Sequence, residues 1–151
     1  MASILIIYGT TSGNTQLVAE KVCEVLSAAG HKSDTKRVEQ TDPAEMEKYD
    51  FIIWGASTYG HGVLQDYFIP FLDKLNAAKY DLKGKRGAVI GLGDPKYDAQ
   101  YHIESAAILE EAFKKHGGNL IAPALRISGS PVRHLNGIIQ KWAEALTEKI
   151  K

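Results

Sequence analysis

A single cysteine, an even charge balance and the lack of any long apolar run set the first limits on this chain. Cys23 has no partner for an internal disulfide and no Cys/His ligand spacing around it. A disulfide-stapled secreted fold and a zinc module are both poor readings, and a reducing compartment is expected. Lysine plus arginine and aspartate plus glutamate each number 18, so the formal net charge is +0. That balance gives no reason to expect nucleic acid as a partner. The halves differ modestly, with 5 basic and 8 acidic side chains in residues 1–60 and 13 and 10 in residues 61–151. No apolar run reaches the ~20 residues that cross a bilayer, and the short run in MASILIIYG has no basic leader before it, which predicts a cytoplasmic protein without membrane insertion. Internal repeats, low-complexity tracts and heptads are missing as well.

What is present is a chain of 151 residues, 44% hydrophobic and 24% charged. One domain over 1–151 of that size buries roughly two thirds of its unfolded surface and needs no disulfide or metal to hold it. Residues 3–8 (SILIIY) are β-branched and nearly all apolar, as in a strand covered on both faces. From Asn14 or Thr15 the apolar positions Leu17, Val18, Val22, Val25 and Leu26 recur at helical spacing until Gly30. His31–Val38 is more polar and suits an edge strand, and Thr41-Asp42-Pro43 caps and starts a helix. Phe51–Trp54 is the third strand, with a loop expected from GASTYGHG onward. A helix over Leu64–Leu75 is interrupted by Pro70, with a distortion or late restart expected. Lys85–Leu92 (strand), 102–116 (helix), Asn119–Ile127 (strand, despite Pro123) and Asn136–Ile150 (helix) complete a βαβαβαβαβα order. That order predicts an α/β fold with one five-stranded parallel sheet covered on both faces.

Three irregular segments follow strands: Gly9–Asn14, Ala56–Gly62 and Gly91–Tyr101. In open α/β sheets ligands sit at that edge, beside the point where the strand order reverses. Thr10, Thr11, Ser12, Gly13, Asn14 and Thr15 offer hydroxyls and the unpartnered amides of a starting helix, a donor set that can surround a phosphate. An ordinary strand-to-helix turn capped by Ser or Thr accounts for the same residues. There is no G-x-G-x-x-G and no GK[ST], so a dinucleotide or an NTPase phosphate loop is excluded. Tyr59, between small residues that include Ser57, Thr58 and Gly60, can lie against a flat ring or simply close its loop. Tyr97 is a second ring in a loop on the same edge, and Asp94 before Pro95 reads first as a turn former. Together they describe a flat heterocycle joined to one phosphate, and flavin mononucleotide fits. No catalytic or metal-ligating set accompanies them.

The stretches YGTTSGNT (8–15), ASTYGHG with LQD (56–62, 64–66) and GLGDPKYDAQYH (91–102) resemble the flavodoxin family in order and spacing. The resemblance runs over essentially the entire chain. It implies a flavodoxin-like doubly wound sheet of order 2-1-3-4-5, the order for which flavodoxin is the standard example. It also implies a non-covalent FMN-binding protein that carries single electrons at low potential through the semiquinone/hydroquinone couple and is not an enzyme. By position, residues 10–15 match the phosphate turn, and Ser57, Thr58 and Tyr59 the loop beside the inner ring face. Tyr97 matches the outer stacking ring, and Leu92, Gly93, Asp94 and Tyr101 the pyrimidine side. Gly60 matches the peptide whose carbonyl turns toward flavin N5 on reduction. The direct passage from SGSPVRH to the last helix is similar to the short-chain class. The implied partners are an NAD(P)H-dependent flavodoxin reductase or other oxidoreductases, met by a monomer. A small FMN-dependent NAD(P)H or quinone oxidoreductase is the alternative.

Overall fold

The computed structural model describes residues 2–59, 63–93 and 104–150. Its strands are β1 (Ser3–Gly9), β2 (Lys32–Arg37), β3 (Phe51–Tyr59), β4 (Val63–Leu64), β5 (Arg86–Gly93), β6 (Asn119–Leu120) and β7 (Leu125–Ser128). The α-helices are α1 (Asn14–Ala28), α2 (Phe68–Ala78), α3 (Glu104–Lys115) and α4 (Gln140–Ile150). Strands β2, β1, β3 and β5 lie side by side and parallel, and the fifth position beyond β5 is shared by β6 and β7. This is the expected five-position parallel sheet of order 2-1-3-4-5. The short β4 turns back antiparallel on β3.

The period of two along each central strand divides the core into two layers. Ile4, Ile6 and Tyr8 of β1, Phe51 and Ile53 of β3 and Ala88, Ile90 and Leu92 of β5 meet Val18, Val22 and Leu26 of α1 and Ala143, Leu146 and Ile150 of α4. The intervening Leu5, Ile7, Ile52, Trp54 and Val89 meet Phe68, Phe71 and Leu75 of α2 and Leu109 and Phe113 of α3. Trp54 sits edge-on to Phe68, Phe71 and Phe113 at 6.0, 6.0 and 5.0 Å. With helices on both faces there is no solvated side, and near-continuous apolar runs result. The edge strand β2 is polar because its outer margin faces water.

The structure departs from the sequence expectations in five places. The segment after Trp54 is not a loop: β3 continues to Tyr59, held between β1 (Gly9 opposite Ala56) and β5 (Ser57 opposite Leu92). The link from β2 to β3 contains no α-helix but the 3-10 turns Val38–Gln40 and Pro43–Lys48, the second closed by a capping box between Asp42 and Glu45. Helix α2 starts at Phe68, not Leu64, so Pro70 falls in its first turn, where a missing N–H costs nothing. Pro123 splits the fifth strand, and α4 follows a π-turn at Leu135–Ile139 with a non-helical Gly137, so regular helix begins four residues after Asn136.

Candidate functional site

Strand β1 has β2 on one side and β3 on the other, so the chain leaves it in one direction and returns to the sheet in the other. The crevice opens where those two paths part, at the carboxyl ends of β1 and β3. Into it runs Thr10–Gly13. Gly13 has φ +93°, a left-handed conformation that other L residues adopt only at a cost, and it occupies the N-cap of α1 with no side-chain cap bond. The N-cap itself is therefore not a serine or threonine. Thr10, only 3% exposed, accepts from Gly13 N at 2.8 Å and so shapes the turn. Among the described residues the amides of Asn14, Thr15 and Gln16 meet no acceptor. Thr11 and Ser12 are exposed and Gly13 and Asn14 half-buried beside them. Open amides, the positive end of α1 and no anionic side chain in the turn form a donor set suited to a phosphate.

Thr15 is buried, and its hydroxyl meets Ser57 Oγ at 3.1 Å, fastening α1 to β3. On the opposite flank Thr58 Oγ1 donates to Ser105 Oγ at 2.7 Å and accepts from Ser105 N at 3.0 Å. Ser105 Oγ in turn donates to Ala56 O at 3.2 Å. The strand is fixed a third time at Ser57, whose backbone O accepts from Gln65 N at 3.0 Å. Leu92 is buried at the end of β5, and Gly93 O accepts from Gly129 N at 3.0 Å. Gly91 lets α3 approach: a Cβ there would stand 2.7 Å from Ala106 Cβ and 2.8 Å from Ala106 N. The ends of β3 and β5 thus present neutral backbone to the crevice. Tyr8, at the base of the turn, has its phenol pushed above the usual tyrosine range by burial, partly offset by the Arg37 guanidinium 5.9 Å from its ring.

Thr10 to Thr15, Ser57, Thr58, Leu92 and Gly93 are therefore gathered at one edge of the sheet. Gly60, Asp94, Tyr97 and Tyr101, with the side chain of Tyr59, lie outside the described residues. Sequence reasoning gave no role to Ser105 or Gln65, both 0% exposed. Gln65 lies within LQD, one of the stretches that carry the family resemblance, without a role of its own there, and the one signal for Ser105 is its place just inside the start of α3. A cavity of about 740 Å³ at the opposite end of the sheet is lined by Ala2, His31, Asp50, Lys85 and Arg86 among others. Its cations are already engaged, Lys85 with the carbonyls of Glu47 and Tyr49 and Arg86 with that of Ile150. No helix among the described residues is long and apolar enough to cross a membrane.

Residues 6–142 match the family model described as flavodoxin. The chain belongs to the flavodoxin family. A flavodoxin of Maridesulfovibrio salexigens is 37% identical over 99% of this chain and 100% of its own length. A probable flavodoxin 2 of Bacillus subtilis is 33% identical over 87% of this chain and 85% of its own. Among solved structures, a short-chain flavodoxin associated with a non-canonical PDU bacterial microcompartment superposes with TM-score 0.88 at 30% identity, covering 100% of both chains. The chain is a flavodoxin of the short-chain class, and the open turn at 10–15 and the strand ends beside it stand where the family's cofactor site is expected. The donor set in that turn fits the phosphate of FMN, and the neutral strand ends fit a flat, uncharged ring system.

Proposed function

We propose that this flavodoxin is a low-potential one-electron carrier that holds FMN non-covalently and passes electrons between a reductase and redox acceptors. The observation that carries the reading is the uncapped start of α1, whose open amides face the sheet edge between β1 and β3. FMN, when bound, supplies the one-electron chemistry. The protein supplies the grip and the environment. Asn14–Gln16 amides with the Thr11, Ser12 and Asn14 side chains hold the phosphate, while Thr10 and Thr15 shape and anchor the turn. Ser57, Thr58, Leu92 and Gly93 present backbone to the ring. Tyr59 and Tyr97 are assigned to its two faces, Asp94 and Tyr101 to its pyrimidine side, and the Gly60 carbonyl to N5. Residues 1–151 are assigned to one FMN-binding domain, acting in the cytoplasm as a monomer.

The donor is assigned as an NAD(P)H-dependent flavodoxin reductase or a related oxidoreductase. Reconstitution of the apoprotein with FMN followed by stepwise reduction tests the assignment. One FMN per chain and two separated one-electron steps are expected, with slow NAD(P)H oxidation that accelerates when a reductase is added. Failure to retain FMN, or rapid NAD(P)H turnover by the isolated holoprotein, refutes it.

A further inference from the structure

We propose that Arg37, at the carboxyl end of β2, supplies the positive charge that the phosphate turn lacks, and so makes the site favour a phosphorylated flavin over a neutral one. The inference rests on the flavin reading above and adds to it a residue outside the turn. No lysine or arginine stands between Gly9 and Gln16. Arg37 reaches that segment from the neighbouring strand, where it lies opposite Tyr8, the residue that leads into the turn. Its guanidinium is 5.9 Å from the centre of the Tyr8 ring, and its Nη2 donates to Gln16 Oε1, in the first turn of α1, at 3.3 Å. Gln16 Nε2 donates in turn to Glu20 Oε1 at 2.8 Å, which fixes the amide with its oxygen toward Arg37.

This placement runs against the helix dipole. A helix start carries partial positive charge, so an anion is favoured beside it and a cation is not. Here the first turn of α1 has no acidic side chain, yet a guanidinium is bonded to it. That arrangement is unfavourable in the empty protein and becomes favourable once a dianion occupies the open amides of Asn14–Gln16. Breaks of a local rule of this kind concentrate at functional sites. Arg37 also offsets two carboxylates of its surroundings, pairing with Glu39 through Nη1 at 3.2 Å and meeting Glu20 through Gln16. Coulomb attraction needs no contact and persists over about 8 Å at physiological ionic strength. One such charge against a dianion supports a factor of about two- to tenfold in affinity.

The test compares FMN with riboflavin, which has the same ring and no phosphate, in titrations of the full-length apoprotein. Arg37→Gln should weaken FMN about two- to tenfold and leave the riboflavin dissociation constant unchanged, and Arg37→Lys should restore most of the FMN affinity. Glu39→Gln frees the guanidinium and should tighten FMN without changing riboflavin. Added sodium chloride should weaken FMN in the wild type and do so less steeply in Arg37→Gln. An Arg37 that only braces Tyr8 against α1 would, once replaced, weaken both ligands alike and leave the salt slope as it was. If riboflavin binds too weakly to titrate, the difference in salt slope decides; if Arg37→Gln does not fold, Glu39→Gln decides alone. Equal losses for the two ligands, equal salt slopes, or an FMN affinity unmoved by the substitution that decides overturns the inference while leaving FMN binding intact. Binding of neither FMN nor riboflavin by the wild type overturns the flavin reading and the inference with it.

Discussion

Replacing Ser105 with alanine should loosen the end of β3 from outside the site. Its hydroxyl accepts from Thr58 Oγ1 at 2.7 Å and donates to Ala56 O at 3.2 Å, so one substitution removes two bonds at a fully buried position. At roughly 0.5–1.5 kcal/mol net for each, the loss is about 1–3 kcal/mol. The half-buried Thr58 hydroxyl can recover part of it from water, which keeps the lower end of that range in play. With a urea slope of about 1–3 kcal/mol per molar, the unfolding midpoint should fall by roughly 1 M. Thr58→Val removes the same side-chain bond from the other end. The double variant should therefore cost less than the sum, with an interaction of about 0.5–1.5 kcal/mol. FMN affinity should fall in both single variants, because Thr58 lies one residue from Tyr59, where β3 ends. An unfolding free energy within about 0.3 kcal/mol of the wild type, together with strictly additive costs, would show that this hydroxyl pair does not anchor the strand.

Gly91→Ala should destabilise by about 1–3 kcal/mol in the same denaturation assay, because the added Cβ meets the backbone of α3 and not only a movable side chain. Adding Ala106→Gly should recover part of that loss, since the 2.8 Å contact with the backbone N of residue 106 remains; full recovery would contradict the geometry. Asp50 is held below the usual carboxylate range by the Ser3 backbone and side-chain donors, and Glu45 by Lys36 and then the Asp42 N–H. A lowered carboxylate stabilises fully above its unfolded pKa, near 4, and loses that contribution as pH falls through the lower folded value. Asp50→Asn and Glu45→Gln should therefore each reduce stability at neutral pH and flatten its decline in acid, which urea midpoints across pH would record. Electron transfer with a basic reductase face should depend weakly on ionic strength because the net charge is +0. Stopped-flow rates that collapse with added salt would refute that expectation.

Much of the fold was legible because it rests on local pattern. The run SILIIY, the three- and four-residue spacing of Leu17 to Leu26 and the stop at Gly30, whose φ is +96°, each act over a few residues. The departures arise where a long-range partner overrules local preference. Gly55, Ala56 and Ser57 do little to favour a strand, yet they continue one because β1 and β5 supply ladders beside them. Pro43 begins only a 3-10 turn, with Tyr49 reached six residues later and β3 at Phe51.

The site divides along the same line. Sequence alone determined that a glycine- and hydroxyl-rich turn joins the first strand to the first helix, and that its composition suits an uncharged donor cradle. Only the tertiary structure decided that Gly13 leaves the helix uncapped and that Thr10 and Thr15 are occupied with protein partners. It alone brought Ser105 and Gln65 against residues 47 and 54 positions away. The physical reason is that burial strips a polar group of water and obliges it to find a partner. Which partner it finds is set by strand order and helix placement, and no short window of sequence contains those.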